Sequence, residues 1–512
     1  MAIREQNKGS ILLIKGIDIS KPAEYIAENS ARNSENFEIS RGVLTKRSGT
    51  IQLGSIIGGT DYEIMGGREF EREGVSYNIR VGRDSIEYYN TTTTTWVDIT
   101  GNTLTGTTTD LVDTAIPLLS GNRILCITNG LDAIRKWTAT GTTENLGGTP
   151  PVAKYIQEYK TYLVTANIAG GVDIPERVQW SSTADPENWS SGNAGAVDLV
   201  EDGEDITGLN LFGAYLCVHK ERSIYLGYLV SSSSIFLFDR KATGVGTVAN
   251  KSIQNIPTGE QIFLAKDGLY LFNGVNCRSL SQEINEEIRD GLNAEYANKT
   301  WSVLIREKKE VWIGIPMGSE TTGSTVYKYN YETGTILKDT RPYMATAWIG
   351  ESTAGLTWDE SIGTWDSSTE RWDGIGLAKG SDTINLSDTN GYTYKVTSDT
   401  PNDDGTAVRA VWETKDFQDS QQRISRFNKL ELWAKGNSVR LEYSTDHGDT
   451  WTEMIDSPMT LTDSYPGIDS PDIFYFDTVG STIRFRFSNA NLSQVLGIKQ
   501  FIISYIPREM RN

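Results

Sequence analysis

The sequence predicts an all-β protein: a β-propeller of about six blades followed by a C-terminal antiparallel β-sandwich. Three observations predict it. Alternating hydrophobic runs joined by Gly- or Asn-centred turns recur about every 50 residues, the spacing of propeller blades. The composition suits strands and tight turns, with 13 Trp, 23 Tyr and 49 Gly in 512 residues. Near the C-terminus, runs such as IRFRF and KLELW alternate strictly, as half-buried antiparallel strands do.

Residues 1–60 form a leading segment, in which ILLIKGIDIS (11–20) is strand-like and KPAEYIAENSARNSENF has room for a short helix. This segment is expected either to complete the propeller or to contact a neighbouring protein. Residues 61–397 form the propeller. GVSYNIRVGRDSIEYYN (74–90) reads as two strands turning at 82–84, and RILCITNGLDAIRKW (123–137) as two strands turning at Asn129-Gly130. AYLCVHKERSIYLGYL (214–229), QIFLAKDGLYLFNG (261–274) and residues 310–337 repeat the scheme. The wider gap between the second and third units leaves room for one more. SQEINEEIRDGLNAEYANK (281–299) breaks the rhythm as a helix: Ser281 is placed to cap it, and Ile284, Ile288 and Leu292 share one face. The polar stretch at 395–408 marks the boundary, and residues 398–512 form the sandwich.

Composition excludes several function classes. A net charge of −19 is unsuited to gripping nucleic acid through its phosphates. Two histidines, His219 and His447, and three dispersed cysteines, Cys126, Cys217 and Cys277, provide neither a zinc spacing nor a disulfide framework. No run approaches the length of a membrane helix, so no membrane segment is expected. The N-terminus lacks a signal-peptide layout, which points to a soluble protein made in a cytoplasm. No G-x-S-x-G, P-loop or HExxH occurs. The chain is therefore read as a non-enzyme with no catalytic residue, no cofactor and no metal.

Four local features stand out. Ser444, Asp446, Gly448, Thr450 and Trp451 form an Asp-box, S-x-D-x-G-x-T-W. Its Asp is expected to accept backbone N–H bonds inside a hairpin turn, with Gly in a conformation closed to other residues. Trp358-Asp359, Trp365-Asp366 and Trp372-Asp373 repeat every seven residues and are read as extended segments with packed rings. The acidic run Asp198, Glu201, Asp202, Glu204 and Asp205 is read as a solvated loop, and Asp403-Asp404-Gly405 as a linker turn. Arg41, Lys46 and Arg47 form a rare basic cluster, a candidate partner-contact segment.

Three passages together resemble the β-propeller tail proteins of tailed bacteriophages, the tail nozzle or tail tubular protein B and the packaged-DNA stabilisation protein. NSENFEISRGVLTKRSGT (33–50) is similar to that family's N-F-x-x-x-x-G-x-L-x-x-R-x-G-T string before the first blade. RVQWSSTADPENW (177–189) is similar to its V-x-W-S-x-x-x-D-P-x-x-W string, and TWDESIGTWDSSTERWD to its TWD repeat. The resemblance implies a virion tail protein assembled in the host cytoplasm, in a homo-oligomeric ring of six copies around a DNA-ejection channel. It implies a head-to-tail adaptor and tail fibre, spike or needle proteins as partners. Genomic DNA would pass through the lumen without sequence-specific binding, and an acidic lumen would repel its backbone. Two alternatives stand beside it: a sialidase-like carbohydrate-active propeller, prompted by the Asp-box, and a receptor-binding tail protein using Trp-rich surfaces.

Overall fold

A computed structural model describes residues 6–7, 10–59, 63–230, 235–280, 282–350, 382–398, 400–419, 421–455, 457–461 and 471–507. Apart from one α-helix and two short 3-10 turns, the regular structure among them is strand. Six four-stranded antiparallel blades follow in chain order: 64–98, 113–145, 153–198, 206–243, 254–279 and 301–340. The hairpins legible in the sequence are mostly the middle strands of these blades. In blade 1, Val75–Gly82 pairs with Ile86–Asn90, and in blade 5, Gln261–Ala265 pairs with Gly268–Phe272. The wide interval after the second unit holds blade 3.

Among the described residues seven blades are present where about six were expected. Blade 7 consists of Met344–Ile349, Ile384–Asp388 and Thr393–Thr397, and its outer strand, Gly49–Gln52, comes from the leading segment. That outer strand lies several hundred residues from its partner Thr393–Thr397, so no local pattern announces the complete blade. The circle closes where Met344–Ile349 packs against Ile64–Arg72 of blade 1 and Trp348 Nε1 donates to Asn78 Oδ1 (2.7 Å). Each blade-to-blade contact has its own apolar core. Phe70, Leu125 and Trp137 pack between blades 1 and 2. Val164, Leu216 and Tyr225 pack between blades 3 and 4, and Trp301, Trp312 and Leu386 between blades 6 and 7.

The sandwich is built from both ends of the chain. One sheet runs Phe37–Ser40, Val43–Lys46, Leu496–Pro507, Ser425–Gly436 and Asp472–Gly480, with Gln6–Asn7 and Ile11–Leu12 also paired to Leu496–Pro507. The other runs Ala31–Glu35, Ala410–Thr414, Thr482–Asn489, Ser438–Ser444 and Thr452–Glu453. Phe37, Leu44, Trp412, Leu430, Phe485, Phe487 and Phe501 fill the space between them, all fully shielded from solvent. The leading segment thus supplies strands to both sheets before it closes blade 7.

The helix spans Gln282–Gly291, shorter than the expected 281–299, because a separate 3-10 turn, Ala297–Lys299, follows it. Ile284 and Ile288 are its buried face, packed with Ile17, Leu269 and Val311 between blades 5 and 6. Ser281 and the three Trp-Asp pairs at 358–373 lie outside the described residues. No helix among the described residues is long and apolar enough to cross a membrane.

Candidate functional site

Two places concentrate polar chemistry: the junction between propeller and sandwich, and the propeller axis. At the junction most of the N-F-x-x-x-x-G-x-L-x-x-R-x-G-T positions have a packing or bonding role. Phe37 and Leu44 enter the sandwich core. Asn36, in a left-handed turn (φ 57°), donates from Nδ2 to the Arg409 carbonyl (2.8 Å) and accepts from Arg47 Nε (2.8 Å). Arg47 forks onto both oxygens of Asp403 (2.9 and 2.6 Å), and Thr50 Oγ1 donates to the same carboxylate (3.2 Å). Gly49 is required by crowding, since a Cβ there would lie 1.9 Å from the Asn402 carbonyl oxygen.

These bonds extend into a buried charge network. Asp339 sits 2.8 Å from Lys328 Nζ, 3.4 Å from Arg341 Nη2 and 3.7 Å from Arg47 Nε. Glu38 pairs with Lys308 (2.5 Å). Burial alone would raise the Glu38 carboxyl, but Lys308 and Lys328 outweigh it and bring it down to about 2. Burial lowers Arg341 to about 10, with Arg47 adding like-charge repulsion. Four cations (Arg47, Lys308, Lys328, Arg341) thus face four carboxylates (Glu38, Glu310, Asp339, Asp403) where blade 6, the leading segment and the 402–403 strand meet.

Two of the three residues offered as a partner-contact surface are therefore corrected. Lys46 and Arg47 are buried, 7 % and 3 % exposed. Lys46 Nζ donates to Asn489 Oδ1 (3.1 Å) and the Asn491 carbonyl (3.3 Å), spending its charge inside the chain. Arg41 alone is at the surface, on the 40–43 turn. Asp403 is likewise no mere linker turn, because it receives Arg47. In the acidic run, Asp202 is an anchor: it accepts from the fully buried Lys220, from Ser223 Oγ (2.6 Å) and from Tyr225 OH (2.9 Å).

The axis of the propeller is plugged. The 3-10 turn Asn250–Ser252, between blades 4 and 5, enters the tunnel and ties four blades together. Lys251 Nζ donates to the Met65 carbonyl of blade 1, and Asn250 Nδ2 to Asp113 Oδ2 of blade 2 (3.2 Å). Leu209 N–H of blade 4 donates to Asn250 Oδ1 (2.9 Å), and Ser302 Oγ of blade 6 to the Lys251 carbonyl (2.8 Å). On one side of the plug lies an open cavity of about 830 Å³ whose wall includes Arg68, Asp113, Lys251, Ser302 and Trp348. Nothing in the sequence marked this cavity, since its residues come from separate blades and share no spacing.

The Asp-box folds as its residue types dictate. Asp446 Oδ1 accepts from Thr450 N–H (2.9 Å) and Ser444 Oγ (2.6 Å), while Ser444 Oγ accepts from Gly448 N–H (2.9 Å). Gly448 has φ 95°, and Arg486 lies over the Trp451 ring, 3.7 Å from its centre. The neighbouring His447 joins Asp416 (2.8 Å) and Glu24 (3.1 Å), the one group of three metal-capable side chains gathered among the described residues. Asp416 already receives Arg484 Nε (2.6 Å), so the group is balanced by protein charge. The V-x-W-S-x-x-x-D-P-x-x-W passage places its rings on opposite faces of blade 3. Trp180 packs toward blade 4 and Trp189 toward blade 2.

No protein-family model and no curated protein matches the chain. Solved structures similar in fold include these three. BamB from Moraxella catarrhalis is 10% identical with a TM-score of 0.33, covering 69% of this chain and 98% of its own. The extracellular domain of a hybrid two-component system from B. thetaiotaomicron is 12% identical with a TM-score of 0.34, covering 60% of this chain and 44% of its own. An exo-β-1,3-galactanase from Phanerochaete chrysosporium, solved with galactose, is 8% identical with a TM-score of 0.26, covering 89% of this chain and all of its own. At these scores the likenesses carry no argument about activity or partners, and the propeller rests on the sheets themselves.

Proposed function

We propose that the chain is a structural subunit of a phage tail nozzle or hub, one of six copies around a DNA-ejection channel. The observation that carries this is the closure of both domains by one leading segment, through the very residues that resemble the tail-protein string. A subunit that bears force during ejection benefits from domains joined by buried strands and ion pairs rather than by a free linker. In a ring of subunits whose own axes are plugged, DNA would pass between copies and not through any one propeller. The rim of blades 4 and 5 exposes Tyr215, Leu229, Val230, Leu237 and Val275, each between 44% and 71%. Apolar surface of this kind is what a neighbouring subunit covers.

Electron micrographs of particles with this chain localised, and of the purified protein mixed with its adaptor, test the proposal. Rings that disperse on Leu237→Glu, with folding intact, are expected. A protein that stays monomeric under both conditions would exclude it.

A further inference from the structure

We propose that the open end of the axial tunnel is a binding site for a small carboxylate or phosphate, held by Arg68 and Lys251 at its floor. Several buried cations of the chain are paired with carboxylates. Arg80 pairs with Glu87 (2.5 Å), Lys299 with Glu63 (2.8 Å), Lys328 with Asp339 (2.8 Å) and Lys220 with Asp202. Arg68 and Lys251 differ. Arg68 spends only Nη1, on the Thr114 carbonyl (2.6 Å) and hydroxyl (3.3 Å), and Lys251 spends one N–H on the Met65 carbonyl. Among the described residues no carboxylate forms a salt bridge with either. The remaining N–H groups of both side chains have no protein acceptor there, and both residues line the cavity.

Asp113 does not fill the role. Its Oδ2 accepts from Ile156 N–H (3.0 Å) and Asn250 Nδ2 (3.2 Å), and its Oδ1 from Thr114 N–H (2.9 Å), so its lone pairs serve two backbone N–H groups and one side-chain amide. Burial raises its pKa and lowers that of Lys251 to about 8. Asp113 attracts both cations through space, Glu158 attracts Arg68 and Glu63 attracts Lys251, but among the described residues no salt bridge joins any of the three to either cation. Both side chains are half-buried on the cavity wall, so an anion seated there replaces water on their spare N–H groups with charge-assisted bonds.

The cavity's 830 Å³ falls within the roughly 300–1,000 Å³ typical of small-ligand sites. Glu69, Glu71, Glu307 and Asp382 outnumber Arg123 and Arg306 in the wall. That balance disfavours a long polyanion and admits a ligand small enough to sit below the mouth. Gln157, Asn210, Gln254 and Ser302 offer neutral polar groups to its body.

Calorimetric titration of the full chain with inorganic phosphate and, separately, with succinate distinguishes the two ligand chemistries. Saturable binding of at least one is expected, weakened tenfold or more by Arg68→Gln and by Lys251→Gln in variants that still melt cooperatively. Absence of saturation with both anions, or affinity unchanged by the substitutions, overturns the site. The unsubstituted protein gives a second readout, free of folding effects: acetylation of Lys251 by acetic anhydride, followed by mass spectrometry. The anion that binds should slow it severalfold, and labelling indifferent to both anions overturns the site. Ring assembly does not enter either measurement.

Discussion

At the scale of single residues, the two histidines are driven in opposite directions by their surroundings. His219 is fully buried on blade 4, its Nε2 2.7 Å from Gln261 Oε1 and its Nδ1 without a partner. Burial, only partly offset by that bond, lowers it from 6.5 to about 4. The folded state therefore keeps His219 neutral where the unfolded chain protonates it. Its contribution is intact above pH 6.5 and declines as pH falls toward 4, reaching a loss of about 3 kcal/mol. His447 is half-exposed, and its hydrogen bond to Asp416, with Glu24 beyond, raises its pKa. Its contribution is complete below the usual histidine range and fades as pH rises through the raised value. Proton NMR of the two imidazoles, assigned with His447→Gln, should show one ring neutral to about pH 4 and one still charged above 6.5. Two rings titrating together near 6.5 would contradict both environments. The Asp-box was legible at this scale because its chemistry is local: the bonds among Ser444, Asp446, Gly448 and Thr450 each span four residues or fewer.

At the scale of elements, legibility followed sequence distance. Blade 5 was readable because Gln261–Ala265 and Gly268–Phe272 are separated by a two-residue turn. Blade 7 was not, because Thr393–Thr397 pairs with Gly49–Gln52 across more than 300 residues. The basic cluster misled for the same reason. Lys46 and Arg47 look like surface charge until Asn489, Asp339 and Asp403 arrive from distant strands. The axial cavity was equally hidden, since Arg68 and Lys251 come to line one cavity only when the ring closes. Arg47 is the element-scale test of this closure. Arg47→Met leaves Asp403 without its bidentate partner and removes one of three cations around the fully buried Asp339. Breaking a buried pair from one side costs about 3–5 kcal/mol. Urea denaturation should read a loss of that size, and Arg47→Met combined with Asp403→Asn should lose less than the sum of the single changes. Strict additivity would mean the pair is not coupled.

At the scale of the whole molecule, the path of the chain decides how it comes apart. Residues 31–52 cross from one sandwich sheet to the other and then into blade 7, so the first strands laid down wait for the last. Val43–Lys46 needs Leu496–Pro507, and Gly49–Gln52 needs Thr393–Thr397. Leu337 of blade 6 belongs to the sandwich core, and Lys328 of the same blade donates to the Phe37 carbonyl (2.9 Å). Two domains joined by an exposed linker unfold separately; two domains sharing a segment in both cores lose their common strands together. Scanning calorimetry of the full chain should therefore show one endotherm, and Gly49→Ala, which drives a Cβ into the Asn402 carbonyl, should lower it without splitting it. Two resolved endotherms, one of which disappears when residues 408–512 are removed, would mean that the sandwich and the propeller stand independently and that the shared segment does not couple them.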